Sequence, residues 1–183
     1  MSGRLVVDTI EGSSSSGNMI SVTPGHHLIA PGHVLQCQYK QVGPARFTST
    51  SITPVAVTDL LIAFTPKKAT SRIVIQCQIN TNAGYVTTWG IYKDGAATVS
   101  TSGYTNSSAA NMNSTVYIGT TTIGEYWSVP LQYSELAAST TVRTYQLYVG
   151  VGWPGTGSTV YINNRDANDM AGFSTMTIWE IAQ

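Results

Sequence analysis

Arg72-Ile73-Val74-Ile75-Gln76-Cys77-Gln78-Ile79 decides the fold. Ile73, Ile75, Cys77 and Ile79 fall on one side of an extended chain, and Val74, Gln76 and Gln78 on the other. A period of two marks a half-buried antiparallel strand. The same period recurs on both sides. Leu35, Cys37 and Tyr39 alternate with Gln36, Gln38 and Lys40, which predicts that Cys37 points inward. Tyr145, Leu147, Val149 and Val151 alternate with polar residues or glycine, and Met176, Ile178 and Glu180 alternate with Thr177, Trp179 and Ile181. Further strand candidates are Leu60–Phe64, Tyr85–Tyr92, Ala97–Val99, Thr115–Ile118, Tyr126–Tyr133 and Thr159–Ile162.

Lys93-Asp94-Gly95 reads as a hairpin turn, Gly supplying positive φ. Ser134–Ala138 has room for one helical turn, stopped by the β-branched residues after it. Many short strands with frequent turn signals predict an all-β, antiparallel jelly-roll-like β-sandwich. Trp179 and Ile181 oppose Ile178 on the last strand, and apolar residues on both of its sides predict a subunit interface near the C-terminus.

The first segment differs. Leu5, Val6, Val7 and Ile10 form one short apolar run, and Met19, Ile20 and Val22 another, separated by Gly12-Ser13-Ser14-Ser15-Ser16-Gly17. Such runs are too short to bury a core alone, so residues 1–31 read as an extended N-terminal docking arm and 32–183 as the sandwich. The opening lacks the apolar stretch of a secretory leader, which predicts synthesis in a cytosol. No run approaches the roughly 20 apolar residues of a membrane span.

Only 10% of the 183 residues are charged and the formal net charge is zero. A typical soluble domain has about a quarter. No global field draws the chain to nucleic acid or an anionic membrane, so neither partner is expected. Few titratable groups in a hydroxyl- and amide-rich chain suit a recognition or structural module better than an enzyme.

Individual residues give few chemical signals. His26, His27 and His33 crowd one stretch, but without Cys, Asp or Glu between them they match no dedicated metal motif, and polar turn roles are expected. Asp166 and Asp169 have the residue types of a glycosidase pair or calcium ligands, yet the closing Glu of a calcium loop is missing and a polar loop is expected. Cys37 and Cys77, each between two glutamines, read as small buried hydrophobes, with a disulfide between them left open. No cofactor is implied. Tyr104, Trp127 and Trp153 lie in or near Gly/Ser/Asn-rich loops, where a flat ring with a polar handle suits sugars and proteins alike. With Asn164, Arg165 and Asp166 they are the candidate recognition residues.

Four segments together resemble small fibre-like virion proteins of tailed phages, of the marine and cyanobacterial phage type. They are Leu5-Val6-Val7-Asp8-Thr9-Ile10-Glu11-Gly12, Pro31-Gly32-His33-Val34-Leu35-Gln36, Phe64-Thr65-Pro66-Lys67-Lys68-Ala69-Thr70-Ser71-Arg72-Ile73-Val74-Ile75 and Ser174-Thr175-Met176-Thr177-Ile178-Trp179-Glu180-Ile181-Ala182-Gln183. The resemblance spans the chain, matches least over about 85–172, and departs in doubling the Pro-Gly-His turn at residues 24–26 and 31–33. It implies a virion location, a homotrimer, an arm bound to neighbouring virion proteins, and attachment to a host cell-surface glycan or protein. A capsid decoration or tail structural subunit without a receptor is the alternative. A polysaccharide depolymerase using Asp166 and Asp169 stands third.

Overall fold

The computed structural model describes residues 30–83, 86–99, 114–117, 126–151, 159–165 and 170–183, with 114–117 as backbone only. Among the described residues eleven strands run in chain order: β1 (Val34–Val42), β2 (Phe47–Ser49), β3 (Val55–Phe64), β4 (Arg72–Ala83), β5 (Val86–Lys93), β6 (Ala96–Ala97), β7 (Ser114–Tyr117), β8 (Trp127–Leu136), β9 (Arg143–Val151), β10 (Val160–Ile162) and β11 (Ser174–Ile181). Every named pairing is antiparallel. The strands belong to the compact unit Pro31–Gln183.

Register reduces these strands to a simpler plan. β1 and β2 continue one another along β11 and β10, with Val42 opposite Ser174 and Phe47 opposite Ile162. The first sheet is therefore ordered β1/β2, β10/β11, β4, β8, and the second β3, β9, β5, β6/β7. Two sheets of four strand positions in this order form a jelly roll. The expected fold class is the one observed. Ser134–Ala138 makes no helical turn: its first three residues complete β8.

The core lies between the sheets. Ile73, Ile75, Cys77 and Ile79 of β4 face Leu147, Val149 and Trp89 of the second sheet in one apolar cluster. Trp89, Tyr145 and Phe64 are its largest fully buried side chains. Full burial of such a side chain contributes roughly 1.5–3 kcal/mol. The Asp94-Gly95 turn joins β5 to β6, both residues at positive φ (51° and 79°), as a two-residue hairpin with right-handed twist requires.

One strand reverses the sequence expectation. A bulge between Val34 and Gln36 shifts β1, so Cys37 and Tyr39 are exposed while Gln36, Gln38 and Lys40 are half-buried. The reason is polar. Gln36 Nε2 reaches Glu180 Oε2 at 2.6 Å and Thr65 O at 2.8 Å, and Lys40 Nζ donates to Leu61 O at 3.2 Å. These acceptors, on the inner side of β1, outweigh the apolar gain from turning Cys37 and Tyr39 inward. Cys77 is buried and Cys37 exposed on the opposite face; both thiols are free. Burial pushes the Cys77 thiol up to about 12.

Candidate functional site

Of the residues singled out from sequence, Leu5, Val6, Val7, Ile10, Met19, Ile20, Val22, His26, His27, Tyr104, Trp153, Asp166 and Asp169 lie outside the described residues. His33 is exposed just before β1, and its carbonyl accepts the Ala182 N–H at 2.8 Å. Among the described residues no group of three or more His, Cys, Asp or Glu is placed to hold a metal.

Two recognition candidates sit deeper than expected. Trp127 opens β8 half-buried and packs against the core, its Nε1 buried without a partner, so it is not a loop-tip ring. Asn164 is buried, and its Oδ1 accepts the Arg165 N–H at 2.8 Å. The Arg165 N–H also reaches Met170 O at 3.0 Å, and Gly172 N donates to Asn163 O at 3.0 Å. Asn164 and Arg165 thus close the base of the excursion between β10 and β11.

The carboxylates that organise the described structure are different ones. Glu180, fully buried on β11, accepts the backbone N–H of Lys67 on both oxygens (2.9 and 2.8 Å), that of Lys68 at 2.9 Å and the Ser71 hydroxyl at 2.6 Å. Burial alone would raise its pKa; the donors outweigh burial and hold it below the usual carboxylate range. Glu135 of β8 receives Lys93 Nζ at 2.6 Å, Arg143 Nη1 at 3.5 Å, the Tyr133 hydroxyl at 3.2 Å and the Tyr145 hydroxyl. Burial opposes its ionisation, but these partners again win and its pKa is lowered. Burial, reinforced by Glu135, pushes Tyr133 up to about 12 and Tyr145 higher still. Both carboxylates are committed to internal donors. They brace the sandwich.

The open surface is of another kind. On the outer face of the first sheet, neighbouring strands align Cys37–Trp179–Val74–Ser134, then Tyr39–Thr177–Gln76–Gln132, then Gln41–Thr175–Gln78–Pro130. The row at the end is Ile181–Arg72–Leu136. Arg72 is the one charged residue in these rows, and its Nη1 lies 3.4 Å from Ser134 Oγ. A shallow depression of about 500 Å³ lies in the middle, lined by Gln76, Gln78, Pro130, Gln132, Thr175 and Thr177. Beside it Tyr39 is 60% exposed, its hydroxyl donating to Gln41 Oε1 at 2.9 Å. Amides, hydroxyls and rings without charge bind by hydrogen bonding and stacking. Gln76 and Gln78 were visible in sequence as the polar side of β4. Tyr39 was not, because the bulge inverts β1.

No family model and no curated protein matches the chain. Among solved structures it is similar to a chain of the infectious bursal disease virus Gt strain, at 12% identity and a TM-score of 0.38 over 90% of this chain and 42% of that one. A chain of the infectious bursal disease virus VP2 subviral particle is similar at 11% identity and a TM-score of 0.34, over 82% of this chain and 39% of the other. The chain thus spans about two-fifths of the length of the solved chains it matches, and the likeness is too distant to place it in a family.

Proposed function

We propose that this chain is a virion structural protein of the phage-fibre kind, its jelly roll mediating attachment to a host cell surface. The nearly uncharged, amide- and hydroxyl-rich outer face of the first sheet carries the proposal. It suits repeated weak contacts with glycan or protein, which many copies on one particle strengthen by an avidity factor of about 10²–10⁴. The resemblance to small fibre-like phage proteins adds the arm, with Leu5, Val6, Val7, Ile10, Met19, Ile20 and Val22 docking on neighbouring virion proteins, and a homotrimeric state. No catalytic role, cofactor, nucleic acid or membrane insertion is proposed.

The same face favours a second reading. A sheet surface almost without charge also fits burial between subunits, as in a capsid decoration or tail subunit without a receptor. One experiment separates the two. Fluorescently labelled full-length chain is applied to candidate host cells, and antibody against it is imaged on intact particles. Saturable cell binding with label at the fibre tips supports attachment. Absent binding with label spread over the capsid replaces it by decoration.

A further inference from the structure

The Tyr39–Thr177–Gln76–Gln132 row has a symmetry that bears on what covers it. Tyr39 and Gln76 are the two cross-strand neighbours of Thr177, one on each side. A two-fold axis running along β11 in the plane of the face exchanges these two positions between copies. The exposed Tyr39 of one copy then lies over Gln76 of the other, at the depression lined by Gln76, Gln78, Thr175 and Thr177. Ridge and hollow occur on the same face at the spacing that self-pairing requires.

Charge agrees with a second copy as the occupant. A charged partner gains nothing from a face whose one charge, Arg72, stands in the end row, whereas a second copy presents an equally uncharged surface. Interface cores are depleted of charge and enriched in Tyr and Trp; Trp179 lies half-buried in the adjoining row. About an axis along β11 the strands β1, β11 and β4 of the two copies overlap while β8 lies outside; three strands about 4.8 Å apart, over about seven residues with a rise of about 3.4 Å, project roughly 350 Å². The corrugated accessible area is larger but below the ~800 Å² per partner of a standard interface, which makes the pairing a weak, concentration-dependent one.

We propose that the outer face of the β1–β11–β4–β8 sheet is a self-association surface, on which a second copy of this chain pairs about a two-fold axis along β11 and seats its Tyr39 in the central depression. The pairing goes beyond the attachment reading and does not depend on it: loss of cell binding leaves it standing, and a trimer that binds cells removes it alone.

The test uses the full chain, light scattering, and alkylation of Cys37, which lies beside Trp179 on this face while the buried Cys77 serves as internal control. The expected mass is an even number of copies, two or six. Cys37 alkylation should slow as concentration rises, roughly fivefold at a total concentration ten times the dissociation constant of the pair. Thr177 lies on the proposed axis, so T177E sets two carboxylates face to face; it should halve the assembly and restore fast alkylation. Mixing T177E with T177K should re-form the pair, an outcome that misfolding does not produce. A monomer at every concentration, a trimer with reactive Cys37, or no recovery on mixing overturns the proposal.

Discussion

Glu180 grips the backbone of Lys67 with both carboxylate oxygens, at 2.9 and 2.8 Å, across the chain from the last strand to the loop between β3 and β4. The carboxylate is fully buried, and all its described partners are donors. Gln cannot replace it, because its amide would turn two N–H groups toward N–H donors. E180Q should destabilise the sandwich by about 2–4 kcal/mol, since each orphaned buried donor costs about 1–3 kcal/mol. The measurement is a urea midpoint at neutral pH; an unchanged midpoint refutes the brace.

The same geometry sets a pH dependence. Glu180 and Glu135 both have lowered pKa values in the folded chain. A carboxylate depressed on folding adds stability that is fully present above its unfolded value of about 4.3 and is lost as pH falls through the folded value. The melting temperature should therefore be flat from neutrality to about pH 5 and fall below it. In E180Q and E135Q the acid limb should be shallower. Equal slopes in wild type and both variants would remove these carboxylates as the cause.

Tyr145 tests the second brace from the other sheet. Its ring is fully buried, and its hydroxyl donates to Glu135, joining β9 to β8. Y145F keeps the ring and removes the oxygen, so the loss is the hydrogen bond to a charged acceptor, about 1.5–3 kcal/mol. In a double-mutant cycle with E135Q the two losses should fall short of their sum, because they share one bond. Additive losses would mean that the hydroxyl does not act through Glu135.

The legible part of this fold was the strand interiors, where periodicity alone suffices. Ile73 to Ile79, Tyr145 to Val151 and Met176 to Glu180 all bury the face that alternation assigns. β1 defeats that reading because Gln36 and Lys40 find acceptors inside, and those acceptors belong to residues remote in the chain. Phe47–Ser49 is too short to show a period, and only its partner β10 reveals it as the continuation of β1. The carboxylate braces were hidden for the same reason. Glu135 meets Lys93 across 42 positions, and Glu180 meets Lys67 across 113. The outer face of the first sheet was half legible: the glutamines of β4 lay on its polar side, but the row they share with Tyr39 is a property of register.

Backbone conformation gives a prediction independent of charge. Gly43 sits at φ 135° where β1 bends toward β2, and a Cβ there would run into the backbone oxygen of Gly172 and the ring of Phe173. Both residues lie just before β11, and the Gly172 oxygen, as backbone, cannot swing aside without moving that segment. G43A should destabilise by about 1–3 kcal/mol from the φ strain alone, with the Gly172 clash adding to it. By contrast Ala138, at φ 57°, is exposed. For A138G, relief of roughly 1–2 kcal/mol in the left-handed region outweighs the 0.4–1 kcal/mol of added unfolded-state entropy, and the melting temperature should rise slightly. Opposite signs at these two positions would show that Gly43 is held by the close approach of β11. A tolerated G43A would mean that the bend relaxes and that β1 and β2 are not locked as one strand.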